Sequence, residues 1–205
     1  IDEAKERIFG FVLMNDWSAR DLQRWEYFPL GPCTSKNFGT TISPWIIYKD
    51  ALSSVAAVPQ SPVPLPYLQD PNPVSYDIDL SVSIQTTTTT TAPTVVCQSN
   101  FKHLYWNPAQ QVTHHSVSGC VLKAGDLLGS GTISAPDSFG SMLELSWNGT
   151  RPVSIGNGDE TRTFLQDGDT VILKGVSVRD DGQRVGFGEC VGTIVPSTTA
   201  AALQE

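Results

Sequence analysis

Positive charge is scarce in this chain: 13 Lys and Arg stand against 21 Asp and Glu, for a formal net charge of −8. A nucleic-acid partner demands a basic stripe or patch, so none is expected, and the partners left are small molecules or protein. Long apolar runs are missing too. None approaches the roughly 18 residues that a membrane-spanning helix requires, which excludes a membrane partner of that kind. There are four cysteines, Cys33, Cys97, Cys120 and Cys190, and no two are spaced as CxxC. That scatter argues against a zinc ribbon or a disulfide framework and fits reduced, mostly buried thiols in a cytoplasmic chain. HExxH, GxSxG, GxGxxG after a strand, and the P-loop pattern are all absent. The zincin, the serine-hydrolase elbow and the common nucleotide sites are thereby excluded. IDEAKERIFG has neither the basic start nor the apolar stretch of a signal peptide. Because it opens on Ile1 and not on Met, the chain reads as a piece of something longer.

What is present is ordinary for a folded domain. The 205 residues, 40% hydrophobic and 17% charged, suffice for one large β-rich domain with its own core. Helical signals are few: residues 3–8, about 18–27, and 107–118. In the second, Ser18 followed by Asp21 resembles a capping box, so that helix is expected to start just after Asp16. Strands are expected at 76–84, 94–101, 126–134, 141–148, 170–178 and 184–194, after an apolar strand at Phe11–Met14. GNGD at 156–159 and DDG at 180–182 supply hairpin turns. The five prolines within 61–73 predict an extended surface excursion. The threonine run 86–91 reads as a mobile hairpin loop and the last ten residues as a fraying tail.

The segment LMNDWSARDLQRWE concentrates the candidate chemistry. Asp16 falls where an apolar strand ends and a helix begins, a place suited to a cap or to a ligand. Arg20 and Gln23 share one helix face, with Tyr27 a further turn along it. They serve either as solvent contacts or as donors to an anionic substrate or a developing oxyanion. Lys36 and Thr40 lie in the polar loop CTSKNFGTT, where a lysine is either solvated or functional. Glu144, in the presumed strand SMLELSW, shares a face with Met142 and Ser146. It either faces solvent or lines a pocket and orients a base. His114 and His115, about 100° apart on a helix, cannot serve one metal from one face.

VLMNDWSARDLQRWEYFPLGP, SKNFGTTISPW, THHSVSGC, GDLLGSGTIS and FGSMLELSW, in this order, closely resemble the fumarylacetoacetase family. The resemblance implies a mainly β fold with few short helices, a mixed β-sheet roll over residues 1–195 with 196–205 as a tail. It also implies a homodimer, to which exposed apolar residues such as Trp45 or Trp106 would contribute. The implied activity is hydrolysis of a carbon-carbon bond in a β-diketone, fumarylacetoacetate giving fumarate and acetoacetate in tyrosine and phenylalanine breakdown, with Mg²⁺ or Ca²⁺ as cofactor. Related readings are an acylpyruvate hydrolase, a decarboxylase of the same superfamily, or an inactive fragment acting as a dimerising or binding β-domain.

Residue by residue, the resemblance places the family's metal-binding Asp on Asp16 and its loop Lys and Thr, which line the metal site, on Lys36 and Thr40. Its catalytic Arg and Gln fall on Arg20 and Gln23, and Lys36 is also a candidate proton donor. Its substrate-contacting Tyr and Thr fall on Tyr27 and Thr132, and the Glu that orients a catalytic histidine on Glu144. That histidine, a second metal Asp and a Glu-x-Glu pair belong to family segments upstream of the stretch matching Ile1, as does a small N-terminal barrel. None of the three histidines here matches the base.

Overall fold

Alternation of apolar and polar residues in DLSVSIQ and TVILKGVSV builds the centre of the molecule. The structure, a computed structural model, describes residues 1–88, 92–156, 158 and 160–197. Helix α1 (Asp2–Arg7) leads into strands β1 (Gly10–Phe11) and β2 (Met14–Asp16) and helix α2 (Arg20–Leu30). Strands β3 (Thr40–Ile42), β4 (Ile47–Tyr48), β5 (Ser54–Ala56), β6 (Val74–Tyr76), β7 (Asp79–Gln85) and β8 (Thr94–Asn100) follow. After helices α3 (Pro108–Ser116) and α4 (Met142–Leu145) come β9 (Val153–Ile155), β10 (Glu160–Arg162), β11 (Thr170–Val178) and β12 (Arg184–Thr193). The largest sheet has the order β12-β11-β7-β8 with antiparallel neighbours. Among the described residues, four short antiparallel pairs accompany it: β1 with β4, β2 with β3, β5 with β6 and β9 with β10. The mainly β architecture with few short helices is the one expected from the sequence.

Period-two patterning puts the apolar side chains of the large sheet on one face. Val171 pairs with Ile84, Leu173 with Val82, and Cys190 with Leu173. Leu13, from the connection between β1 and β2, lies across this face together with Leu52, Ile78, Phe101, Phe187 and Cys190. It comes so close that a Cβ at Gly175 would stand 2.8 Å from Leu13 Cδ2 and 3.2 Å from the Phe187 ring. Phe11 meets Tyr76 and Phe101 edge-on, with centroids 4.8 and 5.6 Å away. Phe187 is 1% exposed, so Phe187→Ala is expected to cost about 3–5 kcal/mol through lost burial and an unfilled cavity. Chemical denaturation reads that loss directly, and a cost under about 1 kcal/mol would place Phe187 outside the core.

Several local expectations are corrected. SMLELSW is not a strand: Met142–Leu145 is a helical turn opened by Ser141, whose hydroxyl accepts the Glu144 N–H at 3.3 Å. A short apolar run carries no period that separates helix from strand. Residues 126–134 form no strand, because the chain turns at Gly131 with φ +80°, and glycines weaken strand interiors. Helix α2 begins at Arg20 behind Ala19 with no side-chain cap, and the Ser18 hydroxyl turns back to the Asp16 carbonyl at 3.0 Å. Its last turn is interrupted at Phe28, extended at φ −120° and ψ 122° ahead of Pro29, as a pre-proline residue prefers.

The proline-rich stretch is more than a surface excursion. Leu68 is buried and its carbonyl accepts from Gln110 Nε2 at 2.8 Å, while the Asp70 carboxylate, whose side chain is 1% exposed, takes Lys5 Nζ at 2.7 Å. All four cysteines are free, yet only Cys97 and Cys190 are buried. Thr86, which heads the threonine run, is buried rather than loose. Thr89–Thr91, Asn157, Asp159 and most of the expected tail lie outside the described residues. No helix among those described is long and apolar enough to cross a membrane.

Candidate active site

Asp16 owes its position to anchors on both sides. Before it, Leu13 is fixed to the sheet and exchanges two hydrogen bonds with Ser43: Leu13 N–H donates to Ser43 Oγ, and Ser43 N–H to the Leu13 carbonyl, both at 2.9 Å. After it, the Trp17 indole lies against β12, where a Cβ on Gly192 would come within 2.5 Å of the ring, and its Nε1–H donates to Thr41 Oγ1 at 2.8 Å. Between these anchors β2 pairs with β3, setting Asp16 opposite Thr40. The Asp16 side chain is half exposed. It is not the cap of α2. Its carboxylate instead accepts Lys36 Nζ at 2.6 Å.

One helical turn on, Arg20 donates from Nη1 to Gln23 Oε1 at 2.7 Å, which leaves the Gln23 amide NH₂ as the end that can donate to a ligand. Tyr27 follows on the same face and is exposed. Asp16, Arg20, Gln23, Tyr27, Lys36 and Thr132 all line one cavity of about 2530 Å³. That exceeds the roughly 300–1,000 Å³ of a small-molecule pocket. The structure therefore brings together most of the residues singled out from sequence. Glu144 does not line the cavity, although Ser141, Met142, Leu143 and Leu145 around it do. Its carboxylate accepts the hydroxyls of Ser134, at 3.1 and 3.2 Å, and Ser141, at 2.9 Å.

Glu26 escapes the sequence reading. In DLQRWEY it looks like one more solvated helix carboxylate, yet it is buried. The chain after α2 folds back over it, so that Cys33 N–H (2.7 Å), Thr34 N–H (3.0 Å) and Ser35 N–H (2.9 Å) all donate to the carboxylate, as does Ser35 Oγ (2.5 Å). The only sequence cue is the turn GPCTS, which begins five residues downstream. The Ser35 hydroxyl and amide, then the backbone amides of Cys33 and Thr34, hold the Glu26 carboxyl at about 2 against the opposing effect of burial. With its folded value below the ordinary 4.5, Glu26 lends stability above pH 4.5 that is lost as pH falls through about 2. Thermal denaturation across that window is expected to show E26Q and the parent converging as the medium acidifies. A constant gap would mean that the ionised carboxylate is not what holds the loop.

The donor set bears on a metal. Asp16 offers one hard carboxylate, and Thr40, its register partner on β3, carries a hydroxyl oxygen although it is not among the residues that line the cavity; Mg²⁺ is commonly held by one or two carboxylates together with water and substrate oxygens. The Lys36 ammonium has no lone pair. Its charge can line such a site, but Nζ cannot ligate. Asp16 and Thr40 thus fit part of a hard-cation shell. Among the described residues no three His, Cys, Asp or Glu side chains gather to complete one. The histidines of α3 are engaged elsewhere, His114 Nδ1 with Tyr67 OH at 2.8 Å and His115 Nε2 with Cys120 Sγ at 3.4 Å.

Comparison with known proteins matches the sequence to a family. The sequence profile described as fumarylacetoacetate (FAA) hydrolase, C-terminal, matches residues 1–195. The chain is 57% identical to fumarylacetoacetase of Rattus norvegicus over 98% of its own length and 48% of the relative's. It is 56% identical to the human fumarylacetoacetase, over 96% of the chain and 47% of the relative, and 54% identical to that of Arabidopsis thaliana over the same shares. The chain spans about half the length of the curated relatives it matches. The residues that set Asp16, Lys36, Arg20 and Gln23 into one cavity wall lie within the matched span, and the chain belongs to the fumarylacetoacetate hydrolase C-terminal family.

Proposed function

We propose that this chain supplies one half of a metal-dependent active site that hydrolyses the carbon-carbon bond of a β-diketo acid, with fumarylacetoacetate giving fumarate and acetoacetate. The observation that carries the reading is the 2.6 Å contact of Lys36 Nζ with Asp16 Oδ2 beside the Arg20–Gln23 pair. An exposed ion pair of this kind contributes only about 0–1 kcal/mol to stability. Stability alone is a weak reason for gathering two cations, an amide and a carboxylate at the end of a two-sided anchor.

Asp16 and Thr40 would hold a divalent cation, Mg²⁺ or Ca²⁺, with Lys36 lining the site. When bound, that cation supplies a Lewis acid for the diketone oxygens. The rest falls to side chains. Water adds to one carbonyl carbon, and the oxyanion that forms is met by donors on Arg20 and Gln23. The carbon-carbon bond then breaks, its electron pair passing to the departing methylene carbon, and the Lys36 ammonium delivers the proton that quenches this enolate. Tyr27 and Thr132, which line the same cavity, would contact the substrate. The attacking water must lose a proton to a base, and no histidine lines the cavity wall among the described residues. A base and further carboxylates supplied by residues outside this chain would complete the site, in keeping with a cavity larger than the substrate. Glu144 would orient that base.

Residues 1–195 form the catalytic β-roll unit in this reading, with 196–205 as its tail. The assembly is a homodimer to which Trp45 and Trp106, 63% and 41% exposed, are available. Four free thiols, two of them exposed, favour a reducing cytoplasmic setting. The test is a substrate panel on the longer protein that carries this chain. Fumarylacetoacetate is expected to turn over far faster than acylpyruvates or oxaloacetate. Faster turnover of an acylpyruvate would move the assignment to that branch of the superfamily.

A further inference from the structure

Glu26 is a buried carboxylate on the helix that carries Arg20, Gln23 and Tyr27, and the mechanism above does not use it. Its partners are the consecutive amides of Cys33, Thr34 and Ser35 and the Ser35 hydroxyl. The next residue is Lys36. The same turn is tied at two further points: the Ser35 carbonyl accepts Ala19 N–H at 3.0 Å, just ahead of α2, and the Cys33 carbonyl accepts the N–H groups of Lys36 and Asn37 at 3.1 and 3.0 Å. One carboxylate on α2 therefore fixes the backbone from which the Lys36 side chain reaches Asp16. A side chain with four rotatable bonds gains little precision from its own rotamers, so the backbone that launches it must be fixed.

We propose that Glu26 is a positioning residue, acting through the 33–35 turn to aim the Lys36 ammonium at Asp16 and at the reacting carbon beside it. The inference rests on the hydrolase reading for its kinetic readout and stands apart from it for its chemical one. Gln in place of Glu26 keeps the volume but turns one acceptor oxygen into an NH₂ that faces backbone N–H groups, and the turn is released.

In the longer protein, E26Q is expected to lower kcat on the order of a hundredfold, the scale of an ångström's misplacement, with KM nearly unchanged. In a K36M background, E26Q is expected to cause no further fall in kcat while its effect on Tm persists. A merely structural residue would lower Tm in both backgrounds and leave kcat per folded enzyme alone. Ser35→Ala, which deletes a single donor, is expected to give a smaller shift in the same direction and serves if E26Q does not fold. Independently of turnover, acetylation of Lys36 by acetic anhydride, read by peptide mass spectrometry against Lys123, is expected to rise several-fold in both variants. Unchanged Lys36 labelling together with unchanged kcat would overturn the proposal, as would an equal kcat loss with and without Lys36. Changed labelling in a protein whose parent form leaves fumarylacetoacetate intact would overturn the hydrolase reading and keep the positioning role.

Discussion

Lys36→Met in the longer protein is expected to lower kcat for fumarylacetoacetate by about a thousandfold, the combined scale of losing a general acid and a fixed cation. Methionine keeps the stem and its packing while removing the charge and the proton. The ion pair it deletes is partly exposed, with the Asp16 side chain at 50% and Lys36 at 29%, so no buried charge is left unpaired. Stability should move by no more than about 1 kcal/mol. The fall belongs in kcat and not in KM, since the proton is needed only as the carbon-carbon bond breaks. Lys36→Arg is expected to restore the charge and little of the rate, because a guanidinium surrenders its proton far less readily than an ammonium. Steady-state kinetics alongside a melting curve checks the pair. A K36M enzyme with full kcat would remove Lys36 from the chemistry.

Asp16→Asn is expected to weaken apparent Mg²⁺ affinity by more than about a hundredfold, because even residues one shell removed from a metal commonly account for about 10–100-fold. Asparagine is isosteric and preserves the β2–β3 pairing, but it offers a neutral oxygen where a divalent cation requires charge. The carboxylate is half exposed and its partner Lys36 reaches solvent, so the fold should tolerate the change. Calorimetric titration of the metal, with activity measured at saturating and at limiting Mg²⁺, separates affinity from turnover. Unaltered affinity would show that the cation is held without Asp16.

Much of this site is legible in NDWSARDLQ because its logic is local. A strand end, a short connection and one helix face bring Asp16, Arg20 and Gln23 together through backbone geometry alone, and β3 adds Thr40 by register. The central strands are equally plain, since TVILKGVSV and RVGFGECVGT are β-branched, apolar-rich runs bounded by turn residues, although a bulge in their ladder brings both Phe187 and Cys190 into the core. Where the sequence misleads, the determinant lies at a distance or in a single torsion. Four residues of SMLEL carry no usable period, and a serine cap decides for helix. In GDLLGSGTIS a glycine with positive φ stops the ladder that its apolar residues suggest. The proline-rich stretch is drawn inward by Gln110 and Lys5, residues far away in sequence. Glu26 is invisible for the same reason: a helix carboxylate looks solvated until the following turn folds back over it.

The central claim is that this chain carries half of a metal-dependent diketone site. Its most direct test follows the loss of the enol-diketone ultraviolet absorbance of fumarylacetoacetate, with Mg²⁺ and with chelator, on residues 1–205 alone and joined to the upstream half found in their relatives. The joined protein is expected to show metal-dependent turnover and the 205-residue chain none. Turnover by the chain alone, or by the joined protein in the presence of chelator, would contradict the claim.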